Sequence, residues 1–154
     1  MNKQVVYKME EGGIGRLIPH EANRLEGESD EAFCSRIANL KVPKDYPWVV
    51  TENPIPLDHE FRYAWVWSGH KNPKLYIDME KAKEIWINKW RTAREPLLEN
   101  LDVEYLKAVE SKNEKLQEEI SQKKQELRDI TKYDLSSVND VAELKKVWPS
   151  ALEG

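Results

Sequence analysis

The chain has 154 residues, 40% of them hydrophobic and 34% charged, with six tryptophans and six tyrosines. So many aromatics argue against a chain disordered throughout, and the length suits one domain or two small lobes. The net charge of −4 divides as 10 basic and 12 acidic residues up to Asp78 and 14 and 16 after it. Neither half therefore carries the basic footprint of a nucleic-acid binder, and the longest basic runs are the pairs Lys123-Lys124 and Lys145-Lys146. No window approaches the roughly 18 uninterrupted apolar residues of a membrane span, so no membrane partner is expected. Cys34, the one cysteine, cannot form an internal disulfide, which fits a reducing cytoplasm.

Val5-Val6-Tyr7-Lys8-Met9 and Ile14-Gly15-Arg16-Leu17-Ile18 flank Glu10-Glu11-Gly12-Gly13 and read as a β-hairpin, with the Gly-Gly pair supplying positive φ. A phosphate-cradling loop would need a following helix N-terminus and a Lys-Ser/Thr pair, and neither follows. Ser29 is a candidate N-cap for a short helix over about residues 30–40, in which Phe33, Arg36-Ile37 and Leu40 recur at helical spacing. Cys34 falls inside it, and His20, His59 and His70 lie in predicted loops; no base stands ready to activate the thiol, so Cys34 reads as a small packed side chain.

Pro43, Pro47, Pro54 and Pro56 punctuate a linker enclosing one short strand, Trp48-Val49-Val50-Thr51. The period of two in Phe61-Arg62-Tyr63-Ala64-Trp65-Val66-Trp67 predicts a strand with Phe61, Tyr63, Trp65 and Trp67 on one face, packed on the core or offered to a partner; a base-stacking platform would want basic neighbours that the chain lacks. Asp58-His59-Glu60 holds metal-ligating residue types, but neighbours on an extended chain point to opposite faces, so no metal site is expected. Residues 68–73 turn the chain and Lys74 to Ile77 return as a last strand.

At Asp78, a candidate cap, helix takes over. Ala82, Ile85, Trp86, Trp90 and Ala93 follow three-and-four spacing; Pro96 predicts a kink or break, with a new cap at Asp102. Leu106, Val109, Leu116, Ile120, Leu127 and Ile130 continue as an a/d seam interrupted at Asn113 and Lys123, which favours a helical hairpin broken near Ser111-Lys112-Asn113 over one long rod. A last short helix carries Val141 and Leu144, and Pro149 stops it. The expected fold class is α+β: a small antiparallel sheet with one short helix over residues 1–77, then a module of three to four helices over residues 78–154.

Several spaced pieces of the second half carry a resemblance. These are residues 76–85, Trp90-Arg91-Thr92-Ala93-Arg94-Glu95-Pro96-Leu97-Leu98, residues 101–106, Leu127-Arg128-Asp129-Ile130 within residues 123–131, and residues 142–149 ending in Trp148-Pro149. Together they resemble the C-terminal helical module of bacteriophage tail-fibre and tail-assembly proteins, including the shorter tail assembly chaperones. The resemblance covers about half the chain. It implies a non-enzymatic protein, without metal or cofactor, that binds a tail or fibre component in the host cytoplasm or the virion tail, with self-association open to it. A phage-encoded inhibitor of a host factor, such as a defence system, is the alternative. Phe61, Tyr63, Trp65, Trp67, Trp86, Trp90, Arg91, Arg94, Arg128 and Asp129 are the candidate partner-binding residues. For the arginines the competing role is bracing of the helices themselves.

Overall fold

Val5, Val6 and Tyr7 form the middle of strand β1 (Lys3–Lys8) in a computed structural model that describes residues 2–52, 57–69 and 74–154. β1 is the central strand of a three-stranded antiparallel sheet, between β2 (Ile14–Leu17) and β3 (Trp48–Glu52). Val5 stands opposite Leu17 on one side and Val50 on the other. With both edges paired and both faces covered, β1 reads as a continuous apolar run, where a strand with one wet face would alternate. The chain is an α+β protein, and it divides into two compact units, Met1–Asp78 and Met79–Gly154.

In the first unit, helix α1 (Asp30–Lys41) covers one face of the sheet. Cys34, Ala38 and Val42 pack there with Val5, and Tyr7, Tyr46 and Trp48 close the edge. The Ser29 hydroxyl accepts from the Ala32 N–H at 3.2 Å, the expected cap. On the opposite face Val6 meets Trp65, with Ile14, Val49, Trp67, Leu75 and Ile77 around them. Trp67 and Leu75 are cross-strand partners in the β4 (Trp65–Ser68) and β5 (Lys74–Ile77) pair, so this second sheet is the outer layer. Gly12, at φ +87°, makes the β1–β2 turn. Gly15 lies beneath the Tyr7 ring, where a Cβ would come within 2.2 Å of Cζ. Pro54, Pro56 and the turn residues 70–73 lie outside the described residues.

The predicted aromatic strand is shorter than its pattern. Residues His59–Ala64 form 3-10 turns kinked at Phe61, and only Trp65 onward pairs with β5. The Asp58 carboxylate accepts from the Glu60 N–H at 3.0 Å, and the Asp58 carbonyl accepts from the Trp65 indole at 3.1 Å. These two bonds stabilise a turn where the side-chain pattern alone allowed a strand. Consequently the four aromatics do not share a face: Phe61 and Trp65 are buried, Trp67 is half-buried, and Tyr63 is 75% exposed.

In the second unit, helix α2 (Met79–Glu110) continues through Pro96, so that of the predicted kink or break the break does not occur, and Asp102 lies inside it instead of capping a new helix. Pro96 costs one backbone hydrogen bond, but it sits among strong helix formers and α3 packs along the same helix, which offsets that loss. At 100° per residue Trp86, Trp90, Leu97, Leu101 and Ala108 fall within about 60° of one another, and this is the face that receives α3 (Glu114–Asp129) and the segments after it. The two helices run antiparallel, since Ala108 meets Gln117, Asp102 meets Lys124 and Arg94 meets Arg128. Helix α4 (Val141–Lys146) follows, capped by Asp140, which accepts from the Glu143 N–H at 2.8 Å.

The hairpin breaks at the predicted place, and its geometry explains the polar interruption at Asn113. The Asn113 N–H donates to Ala108 O at 2.9 Å and the Lys112 N–H to Val109 O at 3.0 Å, the paired bonds of a Schellman ending. Lys112 sits at φ +53°, and the Asn113 side chain then caps α3 by accepting from the Leu116 N–H at 3.1 Å. Asn113 therefore ends one helix and begins the next.

Two predictions follow from these elements. Lys112→Gly should raise stability by about 0.5–1 kcal/mol by relieving the left-handed conformation, and Asn113→Ala should lower it by about 1 kcal/mol, both read from urea unfolding. Glu28 gives the second. Arg36 grips its carboxylate with two bonds of 2.8 Å and the Leu25 N–H adds a third, which together lower its pKa from 4.5 to about 2. A depressed carboxylate pKa contributes stability that is whole above pH 4.5 and is lost as pH falls through about 2. Glu28→Gln should remove that part of the acid slope when unfolding midpoints are compared from neutral to acid pH.

Candidate protein-binding surface

The residues proposed for binding separate by burial into those that hold the second unit together and those that face solvent. Trp86 and Trp90, one turn apart on α2, are buried. The Trp86 indole donates to Val147 O at 2.8 Å and meets Trp148 edge-on at 6.0 Å, which docks the end of α4. Trp90 meets Tyr133 edge-on at 6.1 Å, in the segment between α3 and α4. One turn further along α2, Arg94 donates to Leu127 O at 3.3 Å and Arg128 O at 3.1 Å. A guanidinium on those carbonyls satisfies orphan acceptors at the end of α3 and complements its negative pole.

Spaced pieces of the second half thus meet in space. Trp86, Trp90 and Arg94 stand along α2, Leu127-Arg128-Asp129-Ile130 comes up against Arg94, and Val147-Trp148 against Trp86. Asp129 has a depressed pKa, held mainly by Lys132 at 2.7 Å and then by Gln125, so it braces the turn after α3. The tryptophans, Arg94 and Asp129 are engaged inside the unit, whereas Arg128 contributes its carbonyl and its side chain is exposed. Arg91 is different: it is exposed, and among the described residues it bonds only its neighbour on the helix, Asn88 Oδ1, at 2.6 Å. Among the nominated aromatics of the first unit Tyr63 is the exposed one, with the Arg62 guanidinium 4.7 Å above its ring and donating to its hydroxyl at 2.9 Å.

Sequence reasoning passed over the most exposed apolar side chains of the hairpin as binding residues, because it placed them in a buried seam. Of that seam Ile120, Leu127 and Ile130, all beyond the first turn of α3, are buried. Leu106 is 63% exposed, Val103 53%, Val109 45% and Leu116 38%. The reason is angular. Val103 and Leu106 fall about 160° and 140° from Leu101 around the helix, so they point away when Leu101 faces α3. The packing period set by Trp86 and Trp90, extended through α2, was the signal that would have found them.

Other chemistry in the described residues is sparse. Burial raises the Cys34 thiol pKa, the opposite of an activated nucleophile. Among the described residues no three His, Cys, Asp or Glu side chains come together as a metal would require, and no helix is long and apolar enough to cross a membrane. Compared with known proteins, the chain matches no family model, no curated protein and no solved structure.

The division into engaged and exposed residues has a direct test. Arg94→Ala should destabilise the chain by roughly 1–2 kcal/mol through loss of the α3 ending, whereas Arg91→Ala should stay within about 0.5 kcal/mol of the parent, both by thermal or urea unfolding. Equal effects of the two substitutions would reverse the assignment.

Proposed function

We propose that the protein is a non-enzymatic, bacteriophage tail-associated protein, a tail fibre assembly protein or minor tail component, that works by binding other proteins in the host cytoplasm during assembly. The resemblance of residues 76–149 to tail-fibre and tail-assembly proteins supplies the setting. The observation that carries the binding reading is the outer surface of α2, where Val103, Leu106 and Val109 all stand more than a third exposed, with Leu116 a further exposed apolar side chain beside the turn. Apolar side chains grouped near the turn of a capped hairpin offer a partner area to bury, at roughly 1.5–3 kcal/mol for each side chain fully covered. The staples around Trp86, Trp90 and Arg94 hold the supporting helices in place beneath it, which reduces the ordering cost of association.

Co-expression with the tail proteins encoded beside its gene tests this reading. A stable complex should co-purify, and Leu106→Lys with Val109→Lys should weaken it about tenfold or more while leaving the unfolding midpoint nearly unchanged. If none of those proteins associates, or if the double variant binds as well as the parent, the reading fails.

A further inference from the structure

A different face of the same hairpin carries a groove of about 460 Å³ with an apolar floor of Leu97 and Leu101 of α2, Leu127 of α3 and Ala151 of the 3-10 helix Ser150–Glu153, and with Asn100, Ser150 and Gly154 completing its uncharged wall. Glu104, Lys123 and Glu126 stand around it, all exposed. None of the three makes an ion pair or side-chain hydrogen bond among the described residues, although Asp102 and Lys124, their near neighbours, pair across the two helices. The groove therefore has an apolar floor, two uncharged polar side chains in its wall, and two uncommitted carboxylates and one uncommitted ammonium of Glu104, Glu126 and Lys123 around it. Its volume lies in the range of pockets that take a small ligand or a few side chains.

We propose that this groove receives a segment of a partner protein that inserts a leucine-like side chain between Leu97, Leu101 and Leu127, with a lysine or arginine beside it reaching Glu104 and Glu126. The charge at the mouth selects this occupant. Two free carboxylates against one lysine favour a cation next to the apolar anchor and disfavour an acidic one, and exposed pairs of this kind modulate affinity modestly. Burial of the anchor supplies most of the attraction, and the carboxylates supply the selectivity. The inference rests on the protein-binding reading only in taking the occupant to be a protein segment; it uses none of the outward-facing side chains on which that reading stands.

The test is an NMR titration of the full chain with three synthetic peptides: acetyl-Ala-Arg-Leu-Arg-Ala-amide, the same peptide with Glu for Arg, and the same peptide with Ala for Leu. The arginine–leucine peptide should cause saturable shifts of the Leu97, Leu101, Leu127 and Ala151 amides. The other two should bind about fivefold more weakly or worse. Glu104→Lys with Glu126→Lys should invert the preference between the arginine and glutamate peptides; both positions are exposed, and an unchanged unfolding midpoint confirms that the double variant is folded. The Leu106→Lys, Val109→Lys variant should titrate as the parent does, which separates this groove from the hairpin's outer surface. The proposal is overturned by an absence of saturable shifts at the groove, by equal binding of the acidic peptide, or by a preference that survives the charge reversal. Concentration-dependent shifts of the same amides without peptide would assign the groove to a second copy of the chain and would also overturn it.

Discussion

The second unit depends on one helix remaining whole. α2 is 32 residues long, about 48 Å at 1.5 Å per residue, while α3 has only 16. No single partner covers α2. Its last half packs on α3, and its first half meets the segment around Tyr133 and the end of α4. Both halves use the same helical face because the phase set by Ala82, Trp86 and Trp90 continues unbroken to Leu97, Leu101 and Ala108. A break at Pro96 would release that phase, and the two ends of the unit would no longer share a core.

Helix endings then decide which side chains are free. The reversal at Ser111-Lys112-Asn113 fixes where α3 begins, and the Ala108–Gln117, Asp102–Lys124 and Arg94–Arg128 contacts follow from that register. Once α3 lies against the Leu97–Leu101–Ala108 face, Val103 and Leu106 have nothing to pack on within the hairpin. Their exposure is a geometric consequence of a hairpin whose apolar residues outnumber the places on its inner face. That surplus is what the binding reading rests on, whereas the tryptophans that first suggested a partner surface are consumed in closing the unit.

Much of the local structure could be read from residues, because local bonds make it. Ser29, Asp140 and Asn113 are side-chain caps that act within three residues, and Gly12 makes a turn that no β-branched residue would. Three features could not be read in this way. The alternation from Phe61 to Trp67 is a true period of two, yet the Asp58 turn takes its first half into a 3-10 helix, and side-chain pattern does not report that competition. Pro96 carries a local penalty, and packing 20 or more residues away in sequence outweighs it. Arg94 reaches carbonyls 33 and 34 residues further along the chain, a pairing that exists only once the hairpin has formed. Of the ten residues nominated for binding, Tyr63, Arg91 and Arg128 are exposed, and Val103 and Leu106 separate from the core once the Trp86–Trp90 phase is carried along α2.

Amide hydrogen exchange along α2 in the intact chain tests the unbroken helix most directly. Amides on both sides of Pro96, from Trp86 through Ala108, should open together with one common free energy, as a single cooperative unit. Rapid exchange from Leu97 onward while Ala82 to Ala93 stay protected would contradict it, and would mean that α2 is two helices joined at Pro96.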